Sequence, residues 1–238
     1  MRANLKIEMA KKKDTTEERI VAVEEALSKT EQFIERNQKI ITYVIGGLIV
    51  VILLFFGYRK FIMQPKEKSA EKAMYKAQIY FEKDSLDLAL YGDGESYGFE
   101  EIIDEYGSTK SGNLAHYYAG LSYLHKGEFE EAIDHLKKFD SDDFYLQGMA
   151  YGAIGDAYLE LGETDKAIRY YMDAATTNEN EFITPPYLLK AGWVYEIENE
   201  WDKALKLFEQ IKEDYPKSRE ARDIDKYIAR AKANLGEL

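Results

Sequence analysis

The sequence predicts an all-α protein: one N-terminal transmembrane helix, then an α-solenoid of helix–turn–helix repeats closed by a C-terminal capping helix. Three observations carry this expectation. Nineteen residues from Ile40 to Tyr58 pass without a charge. Beyond residue 112 a spaced pattern of Gly, Tyr, Gly, Ala and a large apolar residue returns with a period near 35. The last stretch, 218–236, is rich in charge yet keeps a helical apolar spacing, which a solenoid needs where it ends in water.

Composition narrows the function classes. Of 238 residues, 45% are hydrophobic and 32% charged, enough apolar material for a core. The chain has no Cys, which excludes disulfides, thiolate metal sites and a Cys nucleophile. A net charge of −12 argues against nucleic-acid binding, which requires a basic footprint to neutralise phosphates. No nucleophile–base–acid constellation is present, so no enzyme, cofactor or small-molecule substrate is expected.

The segment Ile40–Tyr58 reads IITYVIGGLIVVILLFFGY. As a helix it is about 28 Å long, close to the ~30 Å of a bilayer's hydrocarbon core. Tyr43 and Tyr58 stand near its two ends, where amphipathic rings favour the headgroup boundary. It begins too far into the chain, and runs into Arg59-Lys60-Phe61, for a cleaved signal peptide. The expected division is a tail over 1–38, a span over 39–58 and a repeat domain over 59–238. Up to residue 58 there are nine Lys+Arg against eight Asp+Glu; the remainder holds 23 against 36, so the acidity belongs to the repeat domain.

Charge leaves the orientation open. Arg59, Lys60, Lys66, Lys68, Lys72 and Lys76 follow the span closely and pull the C-terminal side inward. Lys29, Arg36 and Lys39 precede it, and the whole tail carries nine basic residues, which pull the other way. In the tail, Asp14 and Glu17 have the spacing of a capping box, and Ile20, Val23, Leu27 and Ile34 share one face. An amphipathic helix is predicted over 15–37, either idle or docking on a membrane partner.

The repeat itself is explicit. Gly120, Tyr123, Gly127, Ala132 and Leu136 return 35 residues later as Gly155, Tyr158, Gly162, Ala167 and Tyr171. They return again, 37 later, as Gly192, Tyr195, Asn199, Ala204 and Phe208, before Pro216. This resembles the tetratricopeptide repeat, a helix–turn–helix unit of about 34 residues. The small residues let the paired helices approach, while Gly127, Gly162 and Asn199 suit a left-handed turn between them. Clear repeats are expected over about 113–146, 148–182 and 185–218. A degenerate one precedes them over 66–110, with helices at 66–83 and 97–106 separated by a Gly- and Asp-rich insert, Ser85–Ser96. The capping helix is placed at 218–236.

His116, His125 and His135 lack the i, i+4 partners of a metal motif and are expected in packing or surface roles. The Gly92–Gly98 run has no following Lys-Ser/Thr and reads as a loop. Asp140–Asp143 lacks the Gly and distal Glu of an EF-hand and reads as an inter-repeat turn.

In tetratricopeptide proteins the first helices of successive units line a groove. By register, the resemblance implies a partner-binding lining of Leu114, Tyr117, Leu121, Met149, Gly152, Asp156, Leu189, Trp193 and Glu196. Members that clamp a chaperone's C-terminal carboxylate use Lys and Asn at such positions, which this chain lacks. An apolar, aromatic and partly acidic groove suits a hydrophobic or basic segment of another protein.

Beyond the repeat, the whole layout resembles the ancillary Sec-translocon subunit family (YfgM-like). The resemblance is carried by the short tail, the single span ending in Phe56-Gly57-Tyr58-Arg59, the Ala/Lys/Tyr-rich helix after it and DEYGSTKSGNLA from Asp104. It implies a single-pass subunit of the bacterial inner membrane, tail in the cytoplasm and repeats in the periplasm. Its implied partners are the Sec translocon, a membrane-anchored periplasmic chaperone and emerging polypeptides. The alternative is a cytoplasm-facing scaffold for a membrane signalling or secretion assembly.

Overall fold

The computed structural model describes residues 31–237, in two units divided between Ile62 and Met63. In the first unit, residues 31–58 form a helix, α1, long and apolar enough to cross a membrane, and none of its most apolar stretch is buried. A side chain at Gly46, Gly47 or Gly57 would meet nothing within 4 Å. A π-helical turn, Arg59–Met63, follows in sequence. The amphipathic helix predicted at 15–37 lies outside the described residues except for 31–37, which are helical.

The second unit is built from helices alone among the described residues. Helix α2 (Gln64–Glu82) has Pro65 in its first turn, directly after the π-helical turn. It buries Ala70, Met74 and Ala77, a 4–3 spacing that makes one helical face. The insert Ser85–Ser96 contains a short helix, α3 (Leu86–Tyr91), before the Gly92–Gly98 loop. Ala89 and Leu90 are fully buried there, and six residues with two apolar anchors are too few for periodicity to reveal. The loop proper is shorter: Asp93 accepts hydrogen bonds from the N–H groups of Glu95 and Ser96 and from the Tyr80 hydroxyl. Helix α4 (Phe99–Tyr106) then buries Phe99 and Ile102.

Three helix pairs follow: α5 (Lys110–Lys126) with α6 (Phe129–Lys138), α7 (Phe144–Glu160) with α8 (Thr164–Thr176), and α9 (Thr184–Ile197) with α10 (Trp201–Asp214). Thr109 caps α5 by accepting from the Gly112 N–H, and Asp143 caps α7 by accepting from those of Tyr145 and Leu146. The turns inside the pairs hold Gly127, Gly162 and Asn199 at φ of 80°, 75° and 60°, the left-handed region that Gly and Asn tolerate best. Two of the three turns share a further contact: Lys166 lies over the Tyr158 ring at 4.9 Å and Lys203 over Tyr195 at 5.3 Å. The capping segment starts later than predicted. Residues Glu220–Asp223 form a 3₁₀ turn, and the α-helix proper, α11, spans Ile224–Leu235.

Close approach within each pair follows one rule. A Cβ at Gly120 would collide with Leu136, one at Gly155 with Tyr171, and one at Gly192 with Phe208. Those three large side chains are almost completely buried. Each sits on the bare backbone of a glycine sixteen residues earlier, and the pair of helices closes around it. The core continues through three overlapping clusters: Met74 to Ala132, Tyr117 to Val194, and Ala175 to Ala231. Each layer is covered by the next helix pair, and α11 covers the last.

Candidate partner-binding face

The nine residues expected to line a groove lie on α5, α7 and α9, the first helices of the three pairs, and their fates differ. Tyr117 is only 4% exposed. Its ring lies 5.2 Å from that of Phe139, and burial, with a smaller contribution from Tyr118, pushes its hydroxyl up to about 12. It belongs to the core and not to a binding surface. Leu114 and Leu121 are half-buried against the same core. Gly152 is covered: a side chain there would run into the ring of Tyr187 from α9.

The two acids are not free either. Asp156 accepts from Lys190 Nζ at 2.6 and 2.8 Å and from the Tyr171 hydroxyl at 2.7 Å. Glu196 accepts from Arg230 Nε at 2.9 Å, with a second bond from the other arm of the guanidinium. Both acids therefore meet a base 34 residues later, on the first helix of the next layer. The partly acidic groove expected from the sequence is corrected: the carboxylates are spent on holding α7 to α9 and α9 to α11. Tyr187, half-buried beside Asp156 and Tyr117, is likewise raised to about 12, chiefly by desolvation.

What stays open is apolar. Met149 is 50% exposed and Trp193 39% exposed, with Leu189 half-buried. Trp193 lies 5.8 Å from the ring of Tyr227 on α11. Between α9 and the capping segment an open cavity of about 390 Å³ is floored by Leu189, Trp193 and Tyr227 and rimmed by Arg219, Glu220, Arg222 and Asp223. At the start of α7, Phe144 and Tyr145 add further exposed rings, 4.9 Å apart. Sequence register found Met149, Leu189 and Trp193 but missed Tyr187, Lys190, Tyr227 and Arg230. The spacing of 34 from Asp156 to Lys190 and from Glu196 to Arg230 was the available signal.

A second polar cluster sits between α4, α5 and α6. Tyr123 donates its hydroxyl hydrogen to Glu100 at 2.6 Å, and His135 Nε2 lies 3.2 Å from the same carboxylate. The Nδ1 atoms of His116 and His135 face each other at 3.3 Å, and the Tyr91 hydroxyl meets that of Tyr123 at 3.2 Å. No cluster of three or more His, Cys, Asp or Glu able to hold a metal ion occurs among the described residues. His125 is exposed and stacks on Phe81.

Comparison with known proteins matches three stretches to tetratricopeptide-repeat models: residues 114–142 and 187–218 to one, and 150–181 to another. Tetratricopeptide repeat protein 29 of Macaca fascicularis is 30% identical over 118 residues, 46% of this chain. The chain spans only 25% of that relative's length. Among solved structures, the MamA protein superposes with a TM-score of 0.57 at 21% identity, over 71% of this chain and 84% of that one. The TPR-like repeats of a kinesin-light-chain type from Podosopora anserina give 0.52 at 13% identity, over 70% and 87%. At these identities the likeness is one of fold: a helical repeat array.

Proposed function

We propose that this tetratricopeptide-repeat protein is a non-catalytic, membrane-tethered adaptor, anchored by α1, that binds an apolar segment of another protein on the face of Met149, Leu189 and Trp193. One observation carries the reading. The two acids of that face, Asp156 and Glu196, are neutralised across layers by Lys190 and Arg230, while Met149 and Trp193 are left open to solvent. An aromatic anchor beside a shallow cavity, with the two first-helix acids already paired, favours burial of a partner's apolar side chain. The tether raises the effective concentration of the face near any membrane partner, so weak contacts suffice.

The family-like layout supports a finer reading: an ancillary subunit beside the Sec translocon, repeats in the periplasm, assisting a membrane-anchored chaperone on emerging chains. The test is site-specific photo-crosslinking in intact membranes from the exposed positions 145 and 149. Crosslinks to a translocon subunit or to that chaperone, absent from a control at the exposed position 206 on α10, are expected. Equal labelling from all three positions would overturn the face. Protease accessibility of the C-terminus in spheroplasts and in inverted vesicles reads the orientation. Digestion only in inverted vesicles would favour the cytoplasmic scaffold that the basic residues after the span suggest.

A further inference from the structure

The His116–His135 pair occupies a place that the other repeats fill without a titratable base. Moving 35 residues on, the same register positions hold Tyr151 and Tyr170; 37 further on they hold Leu188 and Leu207. The Tyr151–Tyr170 rings keep the same contact, 6.3 Å between centroids against 5.4 Å for the histidines. The fold thus accepts aromatic or aliphatic pairs here, and packing alone does not call for histidine.

The hydrogen bonds define what the pair can do. His135 donates from Nε2 to Glu100, which leaves its Nδ1, in the neutral ring, to accept from the Nδ1–H of His116. This is the tautomer that the network itself selects. One added proton on the pair is tolerated: the two Nδ1 atoms still share a single hydrogen, and the Glu100 carboxylate faces the added charge. A second proton is not. Both Nδ1 atoms would then carry hydrogens across 3.3 Å, between two positive rings, with Lys138 adding a third charge. The remaining groups around the pair are the neutral hydroxyls of Tyr123 and Tyr91.

We propose that the His116–His135 pair is an acid-released latch between α5 and α6 of the first clear repeat, closed at neutral pH and opened when the pair takes up two protons. The two charged rings then repel across the seam between α5 and α6, while Glu100 on α4 keeps facing His135 and the layers from α7 onward, which contain no histidine, stay closed. Burial, then the charges of His135 and Lys138, hold His116 down at about 4 against an ordinary 6.5. A folded-state value below the unfolded one means the unfolded chain takes up the proton first. The stability contributed by neutral His116 is thus complete above about 6.5 and is lost as pH falls toward 4.

The experiment compares thermal unfolding of the full chain in detergent at pH 7 and pH 5 for the natural sequence, His116→Tyr/His135→Tyr and His116→Leu/His135→Leu. The natural chain is expected to lose on the order of ten-fold more of its folded-to-unfolded ratio than either double variant. Amide exchange, corrected for its intrinsic pH dependence, should rise in α5 and α6 and not in α10. Equal losses in all three chains would overturn the latch. So would an imidazole NMR titration of the natural chain, which needs no variant, if His116 takes up its proton near 6.5 while the fold is intact.

Discussion

The carboxylate of Glu67 on α2 reaches Ser111 at the start of α5, 44 residues away, accepting from its backbone N–H at 3.0 Å and its hydroxyl at 2.7 Å. The Lys110 N–H donates to the same carboxylate at 2.8 Å. An α-helix opens with unpaired N–H groups and a partial positive charge, and here a residue from another helix satisfies both. Thr109 satisfies the third group, the Gly112 N–H, at 2.9 Å. The stretch from Asp104 to Ala115 is therefore the place where the degenerate first unit is fastened to the repeats.

Burial acts to raise Glu67, but the Ser111 hydroxyl and the two N–H donors outweigh it and leave its carboxyl below the usual range. Its contribution is present above the ordinary 4.5 and fades as pH falls below it. Glu67→Ala is expected to cost about 1 kcal/mol at pH 7, as other cap losses do. The difference from the natural chain in urea unfolding should shrink at pH 4.

Gly112 is held against the carbonyl of Tyr106, with which any Cβ would collide. Backbone cannot swing away as a side chain can, so Gly112→Ala should destabilise by about 2 kcal/mol or more. Gly46→Ala, with nothing within 4 Å, serves as the comparison and should leave the thermal midpoint of the repeat domain unchanged.

Tyr117 and Trp193 were grouped by register, yet they should respond in opposite ways. Tyr117→Ala empties a core position and is expected to cost about 3 kcal/mol. Trp193→Ala removes a ring that is 39% exposed and should cost much less, while abolishing crosslinking to the partner. Circular dichroism melts run beside the crosslinking separate the two effects.

The Asp156–Lys190 pair is about a third exposed on each side, so screening limits its worth to about 1 kcal/mol. Lys190→Met should nonetheless cost more than the surface pair partner change Lys212→Met, because Asp156 would keep only the Tyr171 hydroxyl. Denaturant midpoints at low and at 1 M salt check this; the gap between the two variants should narrow at high salt.

Much of the architecture was legible before any coordinates. The glycine–large residue pairs Gly120–Leu136, Gly155–Tyr171 and Gly192–Phe208 are written at one spacing, and the spacing of small and large residues dictates which helices touch. The left-handed turns at Gly127, Gly162 and Asn199 were legible for the same local reason: few residues tolerate that backbone. The short helix α3 escaped because two buried residues, Ala89 and Leu90, carry no period.

The binding face divides along the same line. Position in a repeat is a local property, so the sequence by itself placed Met149, Asp156, Leu189, Trp193 and Glu196 on first helices. Whether a side chain there meets solvent depends on what the next layer brings. Lys190 and Arg230 arrive one repeat later and neutralise the two acids, Tyr187 fills the space over Gly152, and Phe139 closes over Tyr117. The histidines show it most sharply: 19 residues apart in sequence, they acquire a shared proton only because α5 and α6 pack side by side. Periodicity determined the helices and their pairing; charge neutralisation, exposure and the latch were decided by contacts between layers, which no local pattern encodes.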